Sequence, residues 1–368
     1  MSVCLPHLII LKFLSMFYLS YPVKVFATSG SEDLAQQICS ELEKRLPPPI
    51  IQNSPNLFSK INVVRFSNDN LQVQVDNVRG HFVVIVHTQV APVNDHLMEL
   101  FALLDAVINS KPADVLLVFP YMPYSRSDRK NQPRISTMSH RIAQIISKSF
   151  GIKKVLLLDP HDSHIKHYFE PAADEITSVY LFSNYIQKYI INKNLFQNNN
   201  KNDTVIVFAD TGAAKRFSNI AYHLQLPVAY IDKERPDNTE VGRFKKVVGE
   251  VQDKKCILID DEILTGGTVI GDANILMENG AKEIYMAAIH PILSSLKESE
   301  QNLINKLDSS SICQFIVSNS VPVEHKIKNC RKFAVLSVAP LLAEAINRLV
   351  QNESITYLHD PANLNLYE

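Results

Sequence analysis

Lys255-Cys256-Ile257-Leu258-Ile259-Asp260-Asp261-Glu262-Ile263-Leu264-Thr265-Gly266-Gly267-Thr268 is the stretch around which the chain is organised. Cys256 to Ile259 is a short, continuous apolar run, the pattern of a strand buried on both faces of a parallel sheet. Asp260 and Asp261 fall where such a strand ends. Thr265 to Thr268 is a loop of hydroxyls and glycines, Val269 to Asn279 has helical character, and Gly280 is a C-terminal stop. In an open α/β sheet, ligands bind at the carboxyl ends of strands. A Gly/Thr loop ahead of a helix offers a phosphate backbone N–H groups, hydroxyls and the positive end of the helix dipole. Two carboxylates beside that cradle accept hydrogen bonds from sugar hydroxyls. The stretch therefore reads as a grip for a phosphorylated sugar. A Gly-Gly turn alone is a common βα connection, but adjacent acids followed by Thr-Gly-Gly-Thr are a rarer combination.

Size and charge narrow the context. A chain of 368 residues holds two ordinary domains. The 46% hydrophobic and 20% charged content is that of a globular protein. A net charge of -1 gives no basic excess, which argues against a nucleic acid or an anionic membrane as partner. Phosphate chemistry must then come from local clusters. The five cysteines are odd in number and widely spaced, so neither a disulfide framework nor a zinc knuckle is implied, and a reducing, cytoplasmic location fits. Leu8 to Tyr21 is apolar but interrupted by Lys12, too short for a membrane span and without a basic segment ahead of it. Residues 1–20 read as an extension before the first strand, with a weak signal or anchor as the alternative.

From there the chain alternates strand and helix. Val23–Phe26, Val63–Phe66, Leu71–Val75, His81–His87, Asp114–Phe119 and Lys153–Leu158 read as strands. Ser31 is a candidate N-cap for a helix from Glu32 to Leu46. Helices are expected over His96–Asn109, Ile135–Phe150 and Ser178–Ile191. Asn192 to Asp203 is a polar, low-complexity insertion. In the second half Thr204–Phe208, Val228–Ile231, Val247–Val251, Cys256–Ile259, Ile284–His290 and Phe315–Ser318 read as strands, and Ala339–Val350 as an amphipathic helix. This is a doubly wound α/β pattern used twice. We divide it into residues 21–176 and 177–368, with helix 339–350 a candidate to pack back on the first half.

Several strand ends carry polar clusters. Asp114–Phe119 leads into Pro120-Tyr121-Met122-Pro123-Tyr124-Ser125-Arg126-Ser127-Asp128-Arg129-Lys130, where aromatics can face a base and cations can meet phosphates. His161, His164 and His167 follow Asp159 at a spacing of three. Without a cysteine or a fixed carboxylate partner they do not make a zinc site, and a single histidine at a strand end is the more economical reading. Asp210 closes another strand, and Asp232 to Thr239 is a polar loop.

Taken together, Pro92 to Leu100, Pro120 to Lys130, Asp159-Pro160-His161, Asp210-Thr211-Gly212-Ala213, Asp232-Lys233-Glu234-Arg235-Pro236, the central loop and Leu336 to Leu342 occur in an informative order. By them the chain resembles the class I ribose-phosphate diphosphokinase family from about Val25 to Val350. The resemblance implies transfer of diphosphate from ATP to the anomeric hydroxyl of ribose 5-phosphate, with AMP leaving, in an α/β fold of two phosphoribosyltransferase-type domains. It puts the catalytic lysine at Lys233 and its partner at Arg235. It puts the ribose 5-phosphate site at Asp260, Asp261, Thr265, Gly266, Gly267 and Thr268. ATP contacts fall at Arg126, Ser127, Arg129 and His161, and at Phe66, Asn68 and Asn70 reaching from a neighbouring subunit. His161 and Asp210 match metal or nucleotide contacts, Asp159, Glu170 and Asp174 are further metal candidates, and the expected ion is Mg2+. A homo-oligomer, in the family a hexamer, is implied.

The chain departs from the family's pattern at a few positions. Phe66-Ser67-Asn68-Asp69-Asn70 stands where Phe-Ser-Asp-Gly-Glu is usual, Ser127 where Gln is usual, and Leu264 where an Asp is usual. These departures keep a second reading open, a catalytically silent regulatory subunit. A third, an ordinary phosphoribosyltransferase sharing only the central loop, leaves the Arg126 cluster unexplained.

Overall fold

The computed structural model describes residues 21–130, 132–192, 203–233 and 245–360, except the side chains of Lys233 and Lys245. The extension 1–20, the centre of the polar insertion and Arg235 lie outside the described residues.

The first sheet is built from β1 (Val23–Ala27), β4 (Phe82–Val86), β5 (Asp114–Phe119), β6 (Lys154–Leu158) and β7 (Asp174–Ile176), in that spatial order. All its pairings are parallel. The second runs β10-β9-β8-β11-β12-β13-β14. Here β8 is Thr204–Phe208, β9 Val228–Lys233, β10 Lys245–Val248, β11 Lys255–Ile263, β12 Glu283–Pro291, β13 Ile312–Ser318 and β14 Phe333–Leu336. Only the edge strand β10 is antiparallel. The strands Val63–Phe66 and Leu71–Val75 expected from the sequence form instead a separate ribbon, β2 (Asn62–Arg65) with β3 (Leu71–Gln74), outside both sheets. Every residue of β2 is exposed.

Both faces of each sheet are covered, which is why the strands read as continuous apolar runs. In the first sheet Val25, Val84, Leu116 and Leu156 pack on one face with helix Glu32–Leu42. The alternate residues Phe26, Val83, Leu117 and Leu157 pack on the other with helix Val93–Asn109. In the second, Val207, Leu258 and Met286 meet helices Gly267–Glu278 and Glu300–Asp308. Phe208, Ile257 and Ala287 meet helices Val179–Ile186 and Thr211–Leu224.

Helix Ala339–Val350 follows the last strand of the second sheet, yet Leu341, Leu342, Ala345 and Ile346 are buried in the core of the first. Glu344 ties it to the first unit through Arg45 at 3.7 Å and pairs within the helix with Arg348 at 2.8 Å. The chain thus crosses between the two sheets twice, and the two units are packed together rather than strung on a linker.

Local differences from the sequence reading have simple causes. The helix expected from Ile135 begins at Met138, because Ser127 Oγ accepts from the Met138 N–H and fixes the preceding segment as a loop. Ser31 sits at its helix start, but its hydroxyl accepts from Thr88 N–H at 3.0 Å instead of capping the helix. β11 does not stop at Ile259. It runs on through the acids to Ile263, paired with β12 alone after β8 ends at Phe208. We expect Leu342→Ala, at a fully buried position, to lower unfolding free energy by about 2–5 kcal/mol in urea titrations.

Candidate functional site

In the second sheet the strand order reverses between β8 and β11, since the chain leaves β8 toward β9 on one side and β11 toward β12 on the other. Such a switch point opens a crevice at the carboxyl ends of the two strands. Asp210 stands after β8, and Asp260, Asp261 and Glu262 stand on the projecting end of β11.

Asp261 is the hub. It is buried, and its two oxygens receive two different partners: His161 Nδ1 at 2.5 Å and Arg216 Nη2 at 3.1 Å. His161 belongs to the loop after β6 of the first sheet, Arg216 to helix Thr211–Leu224 of the second. Arg216 Nη1 also donates to the His161 carbonyl at 3.0 Å. Burial alone would raise the Asp261 pKa. The His161 hydrogen bond and the Arg216 charge outweigh it and hold the carboxyl well below the usual carboxylate range. Asp260 moves the other way, raised by burial and then by the Asp261 charge, with Asp210 adding to it.

Asp210 is the N-cap of its helix, its Oδ1 accepting from Ala213 N–H at 2.8 Å. After β11, Gly266 takes a left-handed conformation, φ 72°, and a Cβ there would lie 2.7 Å from Leu307 Cδ2. Helix Gly267–Glu278 starts at once, so its free N–H groups sit beside the exposed Thr265, Gly267 and Thr268. The chain therefore assembles a helix N-terminus, two hydroxyls and acids of opposite pKa tendency at one strand end.

The first sheet contributes the facing wall. A cleft of about 800 Å³ is lined by Arg126, Ser127 and Arg129 from the loop after β5, and by Glu262 and Leu264 from the end of β11. Arg126 Nη1 pairs with Glu262 Oε1 at 2.9 Å, and the Tyr121 hydroxyl donates to Glu262 Oε2 at 2.7 Å. Burial raises the Glu262 pKa, with the Tyr121 hydrogen bond opposing it. Arg129 pairs with Asp128 and Asp162. Ser127 spends its hydroxyl inside the loop, accepting from Met138 N–H and donating to Ser136 O.

Below the cleft lies His290, fully buried on β12. Its Nε2 lies 3.0 Å from the Asp159 carbonyl, which can only accept, so Nε2 carries the proton. Nδ1 then accepts from Ser320 Oγ at 2.9 Å. Burial lowers its pKa to about 4, so the ring is neutral at pH 7. The Tyr121 ring packs against it at a tilt of 42°, with centroids 4.6 Å apart.

The remaining residues singled out from the sequence do not gather here. The Asp159 carboxylate is taken up by Ser178, accepting from its N–H at 2.7 Å and its hydroxyl at 2.5 Å. Glu170 pairs with exposed Lys148. Asp174 opens β7 opposite Leu156, away from the carboxyl end of β6. Among the described residues, no group of three His, Cys, Asp or Glu side chains is placed to hold a metal, so the four acids Asp159, Glu170, Asp174 and Asp210 and His161 are not one protein-built cage. Phe66, Asn68 and Asn70 lie at the tip of the exposed ribbon. Asn68 Oδ1 accepts from Asn70 N–H at 3.2 Å as a turn, and Arg65 anchors the ribbon to Asp95, which lines the cleft. Only the backbone of Lys233 is described, at the carboxyl end of β9 and so on the same sheet edge as the Thr265 loop.

Glu262, Arg216 and His290 had no role from sequence, and Tyr121 was read only as one of the aromatics that can face a base. A third consecutive acid at a strand end and a His closing an apolar strand were the signals present.

Residues 23–149 match the family described as the N-terminal domain of ribose phosphate pyrophosphokinase, and residues 243–360 the phosphoribosyl synthetase-associated domain. A ribose-phosphate pyrophosphokinase of Oceanobacillus iheyensis is 33% identical over 93% of this chain and 99% of its own length. One from Bacillus subtilis is 33% identical over 91% of this chain and 96% of its own. Among solved structures, phosphoribosylpyrophosphate synthetase from Mycobacterium smegmatis matches with a TM-score of 0.77 and 28% identity, over 90% of this chain and 99% of that one.

Because the Asp261 pKa is depressed in the fold, its stabilisation is complete above the unfolded pKa of about 3.9 and is lost as pH falls toward the folded value. The advantage of the native chain over Asp261→Asn in urea midpoints is therefore expected to be constant near neutrality and to shrink below about pH 4.

Proposed function

The chain belongs to the ribose-phosphate pyrophosphokinase family, and from that premise we propose that it is a ribose-phosphate diphosphokinase. It transfers the β,γ-diphosphate of ATP to the 1-hydroxyl of ribose 5-phosphate, releasing AMP and giving phosphoribosyl pyrophosphate. The observation that supports the reading is the crevice itself, where Glu262 and Leu264, between the acids of β11 and the helix start at Gly267, line one cleft with Tyr121, Tyr124, Arg126 and Arg129 of the first unit.

In this reading the N–H groups of the helix starting at Gly267, with Thr265 and Thr268, hold the 5-phosphate. Both oxygens of Asp261 are engaged by His161 and Arg216, whereas Asp260 gives one oxygen to the Asp261 N–H and is the member of the pair we assign to the ribose hydroxyls. Arg126 and Arg129 face the nucleotide phosphates from the first sheet. Phosphoryl-type transfer relies on positioning and charge neutralisation. Lys233 and Arg235 supply cations for the transferring group, from the segment that leaves β9 at the same sheet edge.

Mg2+ is the ion we assign. Carried with ATP, it would supply charge neutralisation at the phosphates, and Asp210 and His161 would be the residues to hold it. The residues fit an ion brought with the nucleotide better than a resident one. Asp210 keeps one oxygen beyond its cap, His161 keeps Nε2 beyond Asp261, and the charge of Asp210 is felt at Asp260. Asp159, Glu170 and Asp174 are spent or placed elsewhere.

A homo-oligomer, a hexamer by family resemblance, suits the exposed Val63, Val64 and Phe66 of the ribbon, which give a second copy an apolar surface. Among the described residues no helix is long and apolar enough to cross a membrane, and we place the enzyme in the cytoplasm.

AMP formation from ATP, Mg2+ and ribose 5-phosphate is the direct test. It should depend on the sugar and fall by about 10²–10³ in Lys233→Ala, the cost of losing one transition-state stabiliser. Folded native chain that makes no AMP would transfer the reading to a silent regulatory subunit.

A further inference from the structure

Glu262 is a buried acid beside the cleft whose carboxylate is fully spent on the protein. One oxygen holds Arg126 and the other accepts from Tyr121. Its side chain is 7% exposed, whereas that of Arg126 is 57% exposed. A buried carboxylate thus holds one terminal nitrogen, Nη1, of an arginine that lines the cleft. Among the described residues Arg126 has no other ion-pair partner. Of its five donors, those on Nε and Nη2 stay available.

The grip is rigid on the other side as well. Tyr121 is buried and packs its ring, tilted, against His290, and His290 is fixed through both ring nitrogens, by the Asp159 carbonyl and by Ser320. A continuous set of contacts therefore runs from the end of β6 through His290, Tyr121 and Glu262 to the Arg126 guanidinium. Arginine carries much rotamer entropy, and a side chain already held in place loses less of it when a ligand binds. A carboxylate there also cancels part of the arginine's charge, so the pair could act in two opposite ways. The burial of Glu262 and its second anchor favour orientation, because masking alone needs neither.

Resting on the reading above, we propose that Glu262 is a positioning residue for the nucleotide, aiming Arg126 at the phosphates of ATP while standing on the strand that carries the sugar-phosphate loop. It acts through Arg126 and not on the reacting atoms. Its substitution should therefore change nucleotide binding and leave sugar binding and turnover nearly as they were.

The test is a double-mutant cycle with Glu262→Gln and Arg126→Ala. Kinetics are read as AMP formation. Binding of α,β-methylene ATP with Mg2+, without sugar, is read by calorimetry. Glu262→Gln keeps the volume and a partner for Tyr121. It should raise the KM for ATP and the analogue Kd about three- to ten-fold, the scale of one side chain losing its preorganisation. KM for ribose 5-phosphate and kcat should stay within about two-fold. In the Arg126→Ala background the same change should add nothing. An unchanged or lowered KM for ATP, or an equal rise without Arg126, would overturn the proposal. Tyr121→Phe releases Glu262 from its other anchor and should give a smaller rise of the same kind. It decides the matter if Glu262→Gln does not fold. A native chain that binds the analogue but makes no AMP would sink the diphosphokinase reading and leave the Glu262 cycle readable by calorimetry.

Discussion

The site depends on one carboxylate that has partners on both sides of the molecule. Asp261 accepts from His161, carried by the first sheet, and from Arg216, carried by the second. A buried acid without such partners would take up a proton or destabilise the fold. With them it is a fixed negative point that sets the spacing of the two halves at the crevice. Arg216 strengthens the junction by also donating to the His161 backbone. The geometry is therefore over-determined before any ligand arrives, as a site built for positioning requires.

The rest of the fold serves to bring that point to the surface. Parallel strands place their carboxyl ends on one edge, and the reversal of strand order between β8 and β11 leaves a gap there. β11 extends beyond its neighbour β8 and carries its three acids into the gap. The first sheet is held opposite by its own contacts and by helix Ala339–Val350, which returns from the end of the chain to complete the first core. Thr88 Oγ1 donating to the Ser320 carbonyl is a further tie. The two units are therefore joined by cores and hydrogen bonds, and the crevice between them is a packed interface with an opening.

Local sequence made the sheets legible and left the cross-links hidden. Cys256 to Ile259 could be read as a doubly buried strand because both faces meet helices, so no polar alternation interrupts the run. Gly266 and the Thr residues were legible because few sequences place a helix N-terminus so directly after acids. The two strands of the ribbon Asn62–Gln74 were legible, but nothing local says that they pair with each other outside the main sheets. The extension of β11 through Asp260–Ile263 was unreadable for a related reason: acids end strands on average, and only β12 alongside keeps this one going. Arg216 and His290 act across 45 and 131 residues of sequence from Asp261 and Asp159, and no spacing rule spans such distances. Asp159, Glu170 and Asp174 were metal candidates by the family resemblance, and in the fold Ser178 and Lys148 pair with the first two while Asp174 lies opposite Leu156 in the sheet.

The departures from the family's pattern fall outside this buried framework. Asn68 and Asn70 shape an exposed turn, Leu264 is exposed at the cleft edge, and Ser127 hydrogen-bonds within its own loop. None of them touches Asp261, His161 or Arg216. A scaffold whose rigid members are buried can change the polar groups at its rim at little cost to stability, because surface substitutions away from such networks shift it by about 0.5 kcal/mol or less. The consequence falls on ligand contacts instead. Leu264 gives the cleft an apolar edge where a carboxylate would accept a hydrogen bond, and Ser127 has a shorter reach than a glutamine. The framework that sets where the substrates meet is intact, and the differences bear on how strongly each is held there.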